Sequence, residues 1–311
     1  MSQALAFVFP GQGSQQLGML SELAASHAII EETFAEASVA LGYDLWKLVQ
    51  EGPEDRLNST EVTQPALLTA SVALWRLWLQ QSGVKPVMMA GHSLGEYSAL
   101  VCAGALSLES GVKLVQLRGE LMQKAVPAGS GAMAAILGID DAAVATACES
   151  VAEGQVVAPV NYNCPGQVVI AGEKAAVERA MEACKAAGAK RAIPLAVSVP
   201  SHCLLMEPIA EEMAKALSQV ELSLPEIPVV QNVTANLPLD LQALQKNLVA
   251  QLYNPVLWTG SVSFMASKGV RLTVECGPGK ILCGLNKKID KSLEVVSLTD
   301  PANFEKALSL V

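Results

Sequence analysis

A single serine lies between two glycines in the segment Gly91-His92-Ser93-Leu94-Gly95. The apolar residues 87–90 precede it and predict a short buried strand, whereas apolar residues at helical spacing predict a helix from about Gly95. A serine on such a tight strand-to-helix turn can act as a nucleophile, with the following backbone N–H groups directed at the atom it attacks. The alternative is that Ser93 only caps the helix.

A serine nucleophile needs a base to take its proton, and the chain contains three histidines. His92 directly precedes the serine, and we expect its side chain on the other face of the strand. His27 lies in a polar helix start, which is typical of a surface residue. His202 follows the last strand of a predicted inserted domain, described below, and can fold back over Ser93. A loop histidine without a catalytic role is the alternative for His202.

Arg118 is predicted to project from the apolar face of a helix over 108–126. Apolar residues lie three and four positions to either side of it, while its charged neighbours point the other way. A buried guanidinium needs an anionic partner, because an unpaired buried charge costs several kcal/mol, on the order of 3–5. That partner is either a carboxylate elsewhere in the chain or a substrate carboxylate held by the planar guanidinium. The helix pattern leaves both open.

The loop 9–15 after the first predicted strand is rich in glycine. It lacks the third glycine of a dinucleotide-binding fingerprint, since residue 16 is Gln16, and no Gly-Lys-Ser or Gly-Lys-Thr follows. We therefore expect no phosphate cradle here. Instead, we expect backbone N–H groups of this loop to approach an oxyanion at the carboxyl end of the strand.

The composition of the chain argues against several classes of protein. A chain of 311 residues that is 51% hydrophobic can bury a large core and form two domains. A net charge of -9 and 4% aromatic residues argue against nucleic-acid binding. No uncharged apolar run reaches membrane-spanning length, and the first residues show no basic leader, so we expect no membrane partner.

Cysteine and histidine usage predicts the compartment and the cofactors. The seven cysteines form no C-x-x-C pair and are typical of free thiols in a reducing compartment, so we expect a cytoplasmic protein. Three histidines without clustered ligands argue against a metal site.

The order of predicted elements indicates an α/β fold. Strands alternate with helices in the first and last parts of the chain, which predicts a mostly parallel, hydrolase-like sheet with helices on both faces. Between them, the order β-α-β-β-α-β over 131–197 is that of a ferredoxin-like unit. The predicted boundaries are 1–126 and 199–311 for the large catalytic domain and 127–198 for the inserted ferredoxin-like subdomain.

Six motifs occur in an order and spacing that resemble the malonyl-CoA:acyl carrier protein transacylases. These are stand-alone bacterial enzymes of fatty acid synthesis, similar to the acyltransferase domains of polyketide and animal synthases. The resemblance covers essentially the whole chain, and no motif position departs from the family pattern. The motifs are VFPGQGSQ (8–15), TQPAL (63–67), GHSLGEYSAL (91–100), the arginine of LVQLRGELMQ (114–123), VSVPSHC (197–203) and QLYNPVLW (251–258).

The resemblance implies a serine/histidine acyltransferase that transfers malonyl groups. Ser93 would carry the acyl group as an ester, and His202 would serve as general base and acid. The carbonyl of Gln251 would orient the histidine, where a hydrolase usually has a carboxylate. The backbone N–H groups of Gln12 and Leu94 would form the oxyanion hole.

The remaining implied roles concern the substrates. Arg118 would hold the malonyl carboxylate, and Gln64 and Asn163 fall in segments that line the site. Malonyl-CoA and acyl carrier protein would be the substrates, with no cofactor. Because carrier proteins are acidic and this chain is acidic overall, we expect docking on a local basic patch. Its candidate residues are Lys190, Arg191, Lys287 and Lys288.

Two rival interpretations remain at this level. An α/β-hydrolase shares the serine turn, but it places its histidine near the end of the chain, whereas about a third of this chain follows His202. A carrier-protein-binding module without activity predicts a broken Ser/His pair, but Ser93 and His202 are both present.

Overall fold

The computed structural model describes residues 4–127, 129–196 and 199–311. Within these ranges nine β-strands form two sheets. In chain order they are β1 (Ala4–Phe9), β2 (Met88–Gly91), β3 (Gly131–Leu137), β4 (Val157–Cys164), β5 (Gln167–Glu173), β6 (Arg191–Pro194), β7 (Val229–Val230), β8 (Val270–Glu275) and β9 (Glu294–Ser297).

Helices separate most of these strands along the chain. They are α1 (Ser21–Ala24), α2 (Ile29–Leu41), α3 (Leu45–Glu51), α4 (Glu54–Leu57), α5 (Thr60–Gln81), α6 (Leu94–Cys102), α7 (Leu108–Ala125), α8 (Asp141–Ser150), α9 (Lys174–Ala186), α10 (Ala210–Gln219), α11 (Leu241–Ala250), α12 (Trp258–Ser267), α13 (Ile281–Ile289) and α14 (Pro301–Leu308). A 3₁₀ helix, Leu204–Ile209, leads into α10. No helix of the described ranges combines the length and the apolar character needed to cross a membrane.

The larger sheet is parallel and has the strand order β7-β2-β1-β8-β9. Its central strand β1 is apolar, and five of its six residues are buried, as expected for a strand covered on both faces. On one face Phe7 lies edge-on to Trp75 and Trp78 of α5, each with a ring-centroid distance of 5.2 Å. On the other face Ala6 and Val8 belong to a core that includes residues of α12 and α13. The predicted α/β class is confirmed.

The smaller sheet is antiparallel and has the strand order β4-β5-β3-β6. This is the order of a ferredoxin-like unit, with α8 and α9 packed on one face around a separate apolar core. The other face packs through Met133 and Val160 against Cys203 of the larger part. The smaller sheet thereby covers Cys203, which directly follows the predicted base His202. The domain boundaries stay predictions, and residues 128, 197 and 198 lie outside the described residues.

Some predicted element bounds differ from the structure. The unit predicted over 131–197 has as its last strand only β6, an edge strand that pairs with β3 and ends at Pro194, followed by one more hydrogen bond from the Leu195 N–H to the Met133 carbonyl. Residue 197 lies outside the described residues. In the larger part, α5 begins at Thr60, so Pro65 lies inside this helix. Tertiary packing overrides the helix-breaking tendency of this proline, since α5 is buried along most of its length.

Candidate active site

The two glycines around Ser93 are required by close packing. A Cβ atom built on Gly91 would lie 1.8 Å from the carbonyl carbon of Gly95. One built on Gly95 would lie 2.0 Å from the carbonyl oxygen of Phe9. The turn therefore lies directly against itself and against the end of β1, at the carboxyl edge of the parallel sheet.

Ser93 has a backbone conformation that is rare for a residue other than glycine, with φ 53° and ψ −109°. Its side chain makes no capping hydrogen bond to α6, so the alternative of a simple helix cap does not apply. Instead, its Oγ lies 2.7 Å from Nε2 of His202. A strained backbone that presents a hydroxyl to a buried imidazole is typical of a nucleophile turn.

His202 is held as a neutral base. Its Nδ1 lies 2.7 Å from the backbone carbonyl oxygen of Gln251. Since that oxygen can only accept, Nδ1 carries the proton and Nε2 is free to accept from Ser93. Burial, and then the positive charge of Arg118, lower the pKa of His202 to about 3. The backbone N–H of His202 also donates to the carbonyl of Leu252 at 3.0 Å, which fixes the residue on the same segment.

Arg118 is buried, with 1% of its surface exposed, and its guanidinium contacts Ser93 and Gln251. Its Nη2 donates to Oγ of Ser93 at 3.2 Å and to Oε1 of Gln251 at 2.9 Å. Its Nη1 donates to Oε1 of Gln64 at 2.8 Å. No carboxylate of the described residues lies within 4.0 Å of this guanidinium, so an internal ion pair does not account for it. Its Nε has no hydrogen-bond partner among the residues that the structure describes.

A cavity of about 330 Å³ opens onto Ser93, His202 and Arg118. Gln12 and Leu94 also line it, and neither backbone N–H donates a hydrogen bond within the described part of the chain. Two free N–H groups beside a nucleophile are suited to bind an oxyanion. The remaining lining residues are Gly13, Gln15, Asn58, His92, Met122, Met133, Asn161, Leu195, Ala196, Val199 and Ser201.

Gln64 and Asn163, predicted to line the site, lie behind its wall. Gln64 contacts Arg118 as described, and Asn163 places its Oδ1 2.8 Å from Nε2 of His92. The His92 ring packs at 5.6 Å from Trp258, and burial lowers its pKa. His92 is therefore held by its own partners and makes no hydrogen bond to the Ser93 hydroxyl.

Sequence reasoning missed two buried residues that hold the turn. Glu96 is 1% exposed, and its Oε2 accepts from the backbone N–H of Asn232 at 3.0 Å and from Nε2 of Gln251 at 2.8 Å. Oδ1 of Asn232 accepts from the backbone N–H of Ser93 at 2.7 Å, and its Nδ2 donates to the carbonyl of Gly91 at 2.6 Å. Burial raises the pKa of Glu96 to about 7.

Both missed residues have a sequence signal. Glu96 is a lone carboxylate in the apolar start of α6, where a solvated charge is not expected. Asn232 follows β7 at the carboxyl edge of the parallel sheet, where α/β folds place their sites.

The predicted docking residues lie away from the cavity and are exposed. Lys190 and Arg191 lie at the start of β6, and Lys287 and Lys288 lie in the last turn of α13. None of the four makes an ion pair with a carboxylate of the described residues.

Possible metal ligands do not gather in the described ranges. No three or more His, Cys, Asp or Glu side chains are placed there to hold a metal ion. All seven cysteines are free thiols, and six of them are buried.

The chain is similar to known acyltransferases over nearly its whole length. Residues 6–293 match the acyl transferase domain family. The chain is 62% identical over 304 residues to the malonyl CoA-acyl carrier protein transacylase of Salmonella typhimurium, covering 98% of each chain. It is 61% identical over 305 residues to that of Escherichia coli K12, covering 98% of this chain and 99% of the relative.

Solved structures show the same likeness. An acyl carrier protein S-malonyltransferase from Vibrio cholerae matches with a TM-score of 0.96 and 57% identity, covering 98% of this chain and 99% of that one. A malonyl-transacylase in complex with a type II polyketide synthase acyl-carrier protein matches with a TM-score of 0.97, 57% identity and the same coverage. The resemblance predicted from the six motifs is thereby confirmed, and the chain belongs to the acyl transferase family.

Proposed function

We propose that this protein transfers a malonyl group from malonyl-CoA to the phosphopantetheine thiol of acyl carrier protein, and so supplies fatty acid synthesis. The observation that carries the proposal is the buried guanidinium of Arg118, which lies 3.2 Å from the Ser93 hydroxyl and has no carboxylate partner within the described ranges. A buried cation beside a nucleophile suits an acyl group that brings its own carboxylate. The names of the most similar relatives agree with this substrate.

The first half of the reaction forms an ester on Ser93. Its Oγ attacks the thioester carbonyl of malonyl-CoA while Nε2 of His202, at 2.7 Å, takes the hydroxyl proton. The negative charge that develops on the carbonyl oxygen is stabilised by the free N–H groups of Gln12 and Leu94. The C–S bond then breaks, and His202 returns the proton to the sulfur of the departing CoA.

The Gln251 carbonyl supports His202 through both steps. It keeps the proton on Nδ1, so that Nε2 always faces the serine as an acceptor. When the imidazole becomes positively charged, the same carbonyl oxygen stabilises it. Its hydrogen bond raises the pKa of His202, against the larger lowering by burial and by the charge of Arg118.

The second half reverses the first with a different thiol. The phosphopantetheine thiol gives its proton to His202 and attacks the ester carbonyl, and Ser93 regains its proton as the C–O bond breaks. Each half exchanges an acyl group between sulfur and oxygen, so the proposed reaction uses no cofactor. Apolar lining by Met122, Met133 and Leu195 limits access of water to the ester.

Acyl carrier protein would dock on the exposed basic residues. Lys190 with Arg191, and Lys287 with Lys288, supply local positive charge on a chain with a net charge of -9. We place the protein in the cytoplasm, because its seven cysteines are free thiols.

The experiment is the mass of the protein after brief exposure to malonyl-CoA, followed by peptide mapping. We expect a malonyl adduct on the peptide that contains Ser93, its absence in Ser93→Ala, and its removal by the carrier-protein thiol. A thioesterase would instead release malonate without transfer to the carrier. An unmodified Ser93 with label on a cysteine would overturn the mechanism.

A further inference from the structure

Glu96 is a buried carboxylate that the proposed reaction does not use. It lies in the first turn of α6, three residues after Ser93, and it touches neither the Ser93 hydroxyl nor the Arg118 guanidinium. Its Oε1 accepts from Nε2 of Gln231 at 3.3 Å, in addition to the two bonds at Oε2. Because burying a carboxylate is costly, its place among several donors indicates that it positions at least one of them.

The Gln251 side chain lies between Glu96 and Arg118. Its Nε2 donates to Oε2 of Glu96 at 2.8 Å, and its Oε1 accepts from Nη2 of Arg118 at 2.9 Å. The Nε2 also lies 3.1 Å from the carbonyl oxygen of Ser93, which is a second acceptor. One amide thus joins a buried carboxyl group to a buried guanidinium without bringing them into contact.

The orientation of this amide determines whether it presents an acceptor or a donor to Arg118. If the amide of Gln251 rotated by half a turn, its NH₂ group would face the guanidinium, and two donors would oppose each other. Glu96 opposes that rotation, because its Oε2 also accepts from the backbone N–H of Asn232 and therefore faces the amide as an acceptor. At the same time the amide is neutral, so Arg118 keeps its charge available for an anion in the cavity.

We propose that Glu96 is a positioning residue that orients Arg118 through the side chain of Gln251 and thereby contributes to selectivity for a carboxylated acyl group. The inference rests on the proposed function. It predicts that the acceptor oxygen at position 96 matters for the choice between malonyl and acetyl groups. It also predicts that this effect requires the Gln251 side chain.

The experiment is a double-mutant cycle read as a substrate ratio. Specificity constants for enzyme acylation by malonyl-CoA and by acetyl-CoA are measured in wild type, Glu96→Met, Gln251→Met and the double variant. Gln251→Met keeps the backbone carbonyl that holds His202. Each single change should lower the malonyl-to-acetyl ratio about tenfold or more, since hydrogen bonds that involve charged groups contribute factors of that order. The double variant should show no further loss.

Two further variants separate orientation from charge and from general damage. Glu96→Gln retains an acceptor oxygen toward Asn232 and Gln251, so its ratio should stay within about threefold of wild type. Glu275→Gln makes the same change at another buried carboxylate, which accepts from the backbone N–H groups of Leu282 and Cys283, and it should leave the ratio unchanged.

The inference is overturned if Glu96→Met lowers malonyl and acetyl acylation equally, or if the two losses of ratio add in the double variant. A ratio in Glu96→Gln as low as in Glu96→Met also overturns it. Should Glu96→Met fail to fold, Gln251→Met and Glu96→Gln decide, because only the first is expected to lose selectivity. Failure of the proposed function is distinguishable, since wild type would then form no malonyl ester on Ser93.

Discussion

The two sides of the cavity are built differently. The side formed by the parallel sheet holds its reactive groups in a buried polar network, in which Ser93, His202 and Gln251 are joined by hydrogen bonds of 2.7–3.1 Å. The side formed by the antiparallel sheet offers mainly apolar residues such as Met133 and Leu195, the latter just after β6.

The parallel-sheet side therefore carries the reacting groups, and the antiparallel-sheet side encloses the cavity. A buried polar network is rigid when its members have hydrogen-bond partners, and the side chains of His202, Gln251 and Glu96 have such partners among the described residues. Each side also holds a buried polar atom with no partner among the described residues, Nε of Arg118 on the parallel-sheet side and Oδ1 of Asn161 on the other. We expect substitutions on the parallel-sheet side to change rates and selectivity by large factors. On the antiparallel side we expect changes in docking and enclosure.

The largest effect is expected for His202. His202→Ala should lower the rate of acylation by malonyl-CoA by about 10²–10⁴, because the general base is lost. The matched change His92→Ala removes the partly buried histidine next to Ser93, which makes no hydrogen bond to the hydroxyl, and it should act through stability. Stopped-flow release of CoA and thermal melting of both variants measure this. Comparable rate losses with His92→Ala still folded would leave the base unassigned.

Arg118 is expected to have the next largest effect. Arg118→Ala should lower kcat/KM for malonyl transfer roughly a hundredfold or more, which corresponds to a few kcal/mol, because the charge partner of the malonyl carboxylate is lost. Acetyl transfer should hold steady or rise, since no buried cation is left unpaired. Arg118→Lys should rescue only part of the malonyl activity, because a point charge does not reproduce the planar fork.

The measurement for Arg118 is the malonyl-to-acetyl ratio of kcat/KM, together with the Tm of each variant. If Arg118→Ala lowers both activities equally and also melts at a lower temperature, the arginine is structural. Selectivity would then reside elsewhere on the cavity wall.

Docking charges should have a smaller effect and extend the comparison to the surface. Reversal to Glu at Lys190 with Arg191, or at Lys287 with Lys288, should raise the KM for acyl carrier protein several-fold, because exposed charges steer association and are screened by salt. The KM for malonyl-CoA should stay nearly unchanged. Lys47→Glu, at an exposed lysine of α3, is the control. An unchanged carrier-protein KM in both double reversals would remove this docking surface.

The smallest effect is expected for pH. Burial and the charge of Arg118 lower the pKa of His202 to about 3, so the free base predominates throughout the range between pH 5.5 and 7.5. The acylation rate with malonyl-CoA should therefore change by less than about twofold over that range. The same shift favours the unfolded state at low pH, since the unfolded chain binds a proton at His202 below about pH 6.5 and the folded chain does not. Because the pKa of Glu96 is about 7, Glu96→Gln is the control, and a rate that halves near pH 6.5 in both wild type and Glu96→Gln would contradict the buried neutral base.

Much of the fold and part of the site could be predicted from the chain itself. Periodic apolar residues predicted the parallel sheet and the order of the smaller unit, because each element must bury one face regardless of its neighbours. Arg118 was predicted on an apolar helix face for the same reason. The end of the unit predicted over 131–197 was less secure, since its last strand is an edge strand, which is limited by its pairing with β3 and not by its own pattern.

The sequence by itself determined the local devices: the glycines that allow the turn at Ser93, the apolar setting of Arg118, and the six motifs that relate the chain to its family. Only the tertiary structure decided which groups meet. His202 lies 109 residues from Ser93, and Gln251 lies 155 residues from Glu96, yet hydrogen bonds of 2.7 and 2.8 Å join them. Such contacts depend on how distant segments converge at the carboxyl edge of the sheet. A local sequence pattern does not show which distant segments meet. The partners of Arg118 and the role of Asn232 are therefore visible only in the folded chain.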